Sequence, residues 1–325
     1  MAKLSFQNKE LILILGFVFL LVLSGCKGSS SGKSITDEDV RKGFDGLAMA
    51  FIKNAPPDKV FEQSIFPIGI NLKNKGASNI EKGFFVMGFE KEYADAAGRE
   101  AKETFDIKGK SIFNLNGDDE FITLNAEAKK VGSQSETHPS TIFATACYPY
   151  RTILGTSVCI DTDLFGKQLR KKACLAKDLL FDKGQGGPVA ITKIEVRMLP
   201  DSDNDPNKII PHFIIYLENK GNGEVIAEDK IEDVCSKKPL GFKDFNRVTV
   251  KAFLSDKELN CNSGETEKAE GRLREKKDIV RCAFPRGEGI ESNRDAFTSP
   301  LKIEIDYGYT FTISKDITIE KILTY

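Results

Sequence analysis

The chain has 325 residues, with 47 Lys plus Arg against 48 Asp plus Glu and a formal net charge of −1. That length suits two domains of ordinary size. Without a basic excess there is nothing to neutralise a phosphate backbone, so nucleic acid is not an expected partner.

At the N-terminus, Lys3 and Lys9 precede an apolar run over residues 11–23, which closes on the small residues Ser24 and Gly25. A charged flank, an apolar core and a small-residue site form the layout of a secretory signal. As a helix the run reaches roughly 20 Å, short of a hydrocarbon core of about 30 Å. Leu23-Ser24-Gly25-Cys26 resembles the lipobox of bacterial-type lipoproteins. That resemblance implies a signal over residues 1–25, cleavage after Gly25, and membrane lipid carried by Cys26. The rest of the chain would then face the extracytoplasmic side of the membrane. An uncleaved signal-anchor helix is the competing reading, with the same orientation.

Residues 26–45 read as a flexible Gly- and Ser-rich tether followed by a short helix capped by Thr36. Leu47, Met49 and Phe51 alternate as a first strand. Phe66, Ile68, Ile70 and Leu72 alternate in the same way and end in Asn74-Lys75-Gly76. Residues 93–104, rich in Ala and charge, suggest a short helical insertion. Asn116-Gly117 is a hairpin signal between strands expected at 112–115 and 121–124. Later, Phe213, Ile215 and Leu217 alternate and end in Asn219-Lys220-Gly221. Ile70, Leu72, Asn74, Lys75, Gly76 and Ile80 overlay Ile215, Leu217, Asn219, Lys220, Gly221 and Val225 at one offset of 145 residues, which argues for two copies of one unit. From Leu301 to Ile319 the apolar side chains fall on odd numbers, and only Lys315 interrupts them, at an expected turn.

Short alternating strands with turn residues between them predict an all-β chain of antiparallel sandwiches. We expect a first sandwich over 46–163, a linker over 164–187 and a second sandwich over 188–325. The strand-turn units at 68–76 and 214–223 resemble the immunoglobulin-like domains called cell-adhesion-related domains. Residues 47–89 are also similar to the opening of uncharacterised membrane-anchored archaeal proteins, through Asn54-Ala55-Pro56-Pro57 and Asn74-Lys75-Gly76-Ala77. The resemblance implies an immunoglobulin-like fold and a surface location, and it transfers no catalytic residue.

Seven cysteines are present. With Cys26 assigned to lipid, Cys147, Cys159, Cys174, Cys235, Cys261 and Cys282 form an even set, as an exported disulfide framework would. Sequence order favours Cys147–Cys159 and Cys261–Cys282, each bracketing an expected hairpin, and leaves Cys174–Cys235.

Signals for chemistry are sparse. His138 lies in a polar loop and His212 opens a strand, and neither has a partner at catalytic spacing. Asp201, Asp203 and Asp205 alternate as hard-cation ligands would, which makes calcium the one candidate cofactor. Pro206, however, stands where an EF-hand loop needs Gly, and His212 where it needs Glu. Tyr148, Tyr150 and Arg151, between Cys147 and Cys159, are candidate contact residues at the tip of an expected crosslinked hairpin, with core packing of Tyr148 as the competing role. The function expected is that of a lipid-anchored, adhesion-like binding or structural protein with a protein or glycan partner and no catalytic activity. A metal-dependent extracytoplasmic enzyme or accessory subunit, or an uncleaved signal-anchor sensor, is the alternative.

Overall fold

The computed structural model describes residues 36–97, 102–164, 166, 171–201, 205–236, 238–263 and 269–322. The signal, Cys26 and Asp203 lie outside the described residues. Residues Thr36–Tyr325 form one compact unit.

The first half carries α1 (Asp37–Val40), β1 (Leu47–Phe51), β2 (Lys59–Phe61), β3 (Ile65–Asn74), β4 (Ile80–Gly88), β5 (Ala94–Ala96), β6 (Lys102–Ile107), β7 (Asp119–Ala128) and β8 (Thr137–Ile160). The second half begins with β9 (Leu179–Leu180), β10 (Val189–Asp201), β11 (Asp205–Asn219), β12 (Glu224–Ile226), α2 (Ile231–Cys235) and β13 (Arg247–Leu254). It ends with β14 (Lys257–Glu258), β15 (Asn260–Asn262), β16 (Glu270–Arg272), β17 (Lys277–Ala283), β18 (Ile290–Glu291) and β19 (Phe297–Glu320). The all-β prediction holds. Thr36 caps α1 through a capping box, and the helix ends at Val40.

Among the described residues the strands make three sheets. One runs β1-β3-β7-β5, and a second runs β15-β17-β11-β10-β9 with β18 on β11. The third runs β14-β13-β19-β8-β4-β6, with β12 and β2 on β19 and β16 on β13. It contains strands from both halves. One continuous core joins side chains of all three sheets.

The centre of the large sheet is the pair β8 and β19, 24 residues each and antiparallel along their whole length. At about 3.3 Å per residue each spans roughly 80 Å. Even-numbered side chains of β8 and odd-numbered ones of β19 face the core, so the alternation visible in the sequence continues through one unbroken strand. The turn expected at Lys315 does not form: Lys315 pairs opposite Ile142, and its Nζ reaches Asp58 at 2.5 Å. Backbone direction follows from three bonds. Pro300 O accepts from Ser255 N and Thr318 N donates to Asp58 O, so even residues of β19 point their backbone away from β8. Lys321 N, an odd position, donates to Glu136 O at the β8 side. Odd residues of β8 therefore aim their N–H and C=O away from β19. Pro139 and Pro149, both odd, are tolerated in a central strand because neither nitrogen belongs to that ladder.

Three other expectations are corrected. Cys147 and Cys159 lie on the same strand, about 40 Å apart along it, so no hairpin brings them together. The disulfides are Cys147–Cys235, Cys159–Cys174 and, as expected, Cys261–Cys282. Residues 112–115 are not a strand. β6 pairs with β4 and β7 with β3, so residues 108–118 cross from one sheet to another. The helical insertion expected at 93–104 contains β5 and the start of β6.

The two strand-turn repeats are structurally equivalent. Asn74 Nδ2 donates to Ser78 O at 2.8 Å while its Oδ1 accepts from Gly76 N at 3.0 Å. Asn219 does the same with Gly223 O at 2.9 Å and Gly221 N at 3.1 Å. Each Asn thus closes its own turn, an Asx-type arrangement that explains why the pattern needs Asn at that position.

Candidate functional site

Tyr148, Tyr150 and Arg151 sit midway along β8, and the structure corrects their expected display at a hairpin tip. Tyr148 is fully buried and Tyr150 nearly so. Opposite them in register are Tyr309 and Tyr307. Tyr148 OH accepts from Leu47 N and Tyr307 OH from Val189 N, both at 3.2 Å. Tyr150 OH accepts from Ser78 N at 3.3 Å and donates to Gly186 O at 2.8 Å. Tyr309 OH accepts from Gly223 N at 2.8 Å and donates to Asn219 Oδ1 at 3.3 Å. The four rings pack edge to face or tilted around the centre of the large sheet. Burial drives the Tyr148 and Tyr307 hydroxyls well above their ordinary pKa, and Tyr309 is pushed up to about 12 for the same reason. These rings anchor both strand-turn repeats to the shared sheet. Arg151 points to the other face, where its Nε and Nη2 hold Asp306 at 2.5 and 3.1 Å.

Residues 184–187, the end of the expected linker, are packed between the halves. Gly186 O accepts from Ala77 N and Gly186 N donates to Gly43 O, each at 2.8 Å. Buried Gln185 closes on Ile191 through both its amide atoms. At the expected cation loop, buried Asp201 accepts from Gly287 N and Asp205 from Asn207 N, both at 3.0 Å. Among the described residues no cluster of three His, Cys, Asp or Glu is placed to hold a metal ion. His138 stacks on Tyr93 with ring centroids 3.4 Å apart, beside Glu90. His212 is half-buried in β11, and that burial lowers its pKa.

The feature that sequence reasoning missed is the edge of β8. β4 covers β8 only over Phe143 to Cys147. Beyond the point where Ser78 Oγ donates to Arg151 O at 2.5 Å, no described strand pairs with that side. Ile153, Gly155 and Ser157 are odd residues, so their N–H and C=O groups aim outward there. They line a groove of about 990 Å³ whose other walls are α1, residues 180–185, residues 300–302 of β19 and Ser255, so that it reaches from β8 across β19. Gly155 and Ser157 are exposed, and a Cβ on Gly155 would meet nothing within 4 Å.

Exposed strand edges are normally blunted by charge, proline or covering elements. The outer stretch of β8 before β4 carries Pro139, and the outer part of β19 carries Lys315 and is partly covered by β2. Ile153-Leu154-Gly155-Thr156-Ser157 has neither charge nor proline. The charges around it are mostly self-compensated: Arg41 pairs with Asp37 at 2.7 Å, Lys42 with Asp39, and Lys302 with Glu304 at 2.5 Å. The site offers a backbone ladder rather than a charged pocket.

No protein-family model matches the chain, and no curated protein matches it. Among solved structures the chain is similar to the secreted serine protease VesC from Vibrio cholerae, at 10% identity and a TM-score of 0.21, over 81% of this chain and 50% of that one. It is also similar to the type II cohesin dyad from the adaptor ScaA scaffoldin of Acetivibrio cellulolyticus, at 8% identity and a TM-score of 0.18, over 82% and 87% of the two chains. The chain spans about half the length of the protease. At these TM-scores neither likeness bears on activity, substrate or partner.

Proposed function

We propose that this is a lipid-anchored, extracytoplasmic binding protein without catalytic turnover, which takes an extended polypeptide as an added strand on β8. In this reading two immunoglobulin-like sandwiches are fused through the shared β8–β19 pair, and Cys26 carries the lipid. The lipobox-like sequence supports the anchor, and three disulfides fit an oxidising compartment. The observation that carries the binding site is the outward-facing ladder at Ile153, Gly155 and Ser157, at the border of a groove. Strand addition supplies affinity through main-chain bonds and specificity through alternate side chains. On this edge Ile153 and the groove wall at Leu180 are the apolar contacts.

A displayed library of unstructured peptides, selected on the immobilised full-length protein, tests this. Enriched peptides should lose binding to Gly155→Pro, which removes one outward N–H outside the β19 ladder, and retain it with Gly155→Ala. Enrichment of peptides indifferent to Gly155→Pro, in a variant with unchanged melting temperature, would contradict the site.

A further inference from the structure

We infer that the loop of residues 108–118 rests in the interfacial layer of the membrane that holds the lipid anchor, an inference that builds on the anchored reading above. Its tip inverts the usual composition of a surface loop. Phe113 is 92% exposed, Ile112 50% and Leu115 46%, three large apolar side chains within four residues. A patch of that kind on an ordered loop marks a contact surface rather than a solvated turn.

Several of the loop's polar groups are already paired among themselves. Ser111 N donates to Asn114 O at 2.8 Å, and Ser111 Oγ accepts from Asn114 N at 3.0 Å. Asn114 Nδ2 donates to Asp118 Oδ1 at 2.6 Å, and Asp118 N donates to Lys108 O at 3.0 Å. A segment entering lipid must satisfy its backbone internally, because the acyl region offers no water in exchange. Here Ser111, Asn114 and Asp118 meet part of that condition before contact, and the apolar side chains are left to face outward.

Position gives the occupant. Lys110 N donates to Gly76 O at 2.7 Å, and the neighbouring Lys75 N donates to Gly46 O at 2.9 Å. The base of the loop therefore sits on the turn that also holds Gly46, ten residues after the folded body begins at Thr36. Upstream of Thr36 lie ten residues back to Cys26, a tether of at most about 35 Å when extended. A body held by so short a lead presents its entry end to the bilayer, and this loop is part of that end. Lys108 and Lys110 are offset by Asp118 and Asp119, so contact is apolar and needs no anionic lipid.

The chain contains no Trp, which makes Phe113→Trp a unique reporter in the full-length lipidated protein. Bound to phosphatidylcholine vesicles, its emission should shift to shorter wavelength and be quenched at least twofold by brominated acyl chains. Phe61→Trp, exposed at the far end of β19, should be unaffected. Vesicle flotation reads the anchor separately. A protein that floats while the Phe113→Trp reporter keeps water-like emission, or while both reporters are quenched alike, overturns the loop contact and leaves the anchor standing. A protein that does not float overturns the anchor and, with it, this inference.

Discussion

A Cβ placed on Gly76 would overlap the hydroxyl oxygen of Tyr150. The same holds for Gly221 and Tyr309 in the second repeat. In both, the glycine clears the space through which a tyrosine on a long central strand reaches the backbone of the Asn-closed turn. Gly76→Ala should therefore cost about 2–3 kcal/mol by forcing the ring aside and breaking its bonds. Gly221→Ala should cost a similar amount, and Gly155→Ala, with open space around it, less than about 0.5 kcal/mol. Urea unfolding of the three variants checks the order.

The tyrosine cluster sets the alkaline limit of stability. The folded state raises the pKa of Tyr148 and Tyr307 strongly, and that of Tyr309 to about 12, because burial penalises the phenolate. Stability from these groups is fully present below the unfolded value of about 10 and is lost as pH rises from there toward the folded values. Absorbance at 295 nm should show these tyrosines ionising only with unfolding, above the titration of exposed tyrosines. Tyr307→Phe should move the alkaline midpoint upward relative to neutral-pH stability.

The disulfides should differ in weight. Cys147–Cys235 closes 88 residues and Cys159–Cys174 closes 15. On the chain-entropy model their removal costs about 4.6 and about 3 kcal/mol. Paired Cys→Ala variants under thermal unfolding should rank in that order. Cys235 belongs to α2, in a segment between β12 and β13 that has no counterpart within β4, and the crosslink fastens it to β8 of the other half.

Period-two alternation was legible because side-chain period survives in the sequence whatever the strand pairs with. It identified the odd face of β19 and the repeats at Asn74 and Asn219. Strand length and partnership were not legible, since pairing is non-local. A run interrupted by Lys315 looks like two strands, yet Asp58 compensates that charge and the strand continues. The wrong disulfide pairs share this cause, because Cys147 and Cys159 are neighbours in sequence and far apart along a single long strand. Tyr-x-Tyr at 148–150 and again at 307–309 was a readable signal of the shared core. The open edge at Ile153, Gly155 and Ser157 was not, because an uncovered edge is defined by a strand that is missing beside it.

Amide hydrogen exchange along β8 at neutral pH tests the central claim most directly. Leu154 and Thr156, whose amides face β19, should exchange slowly, while Ile153, Gly155 and Ser157 should exchange rapidly and become protected when a selected peptide binds. Slow exchange at all five positions in the free protein would mean the edge is already covered, and would contradict the account.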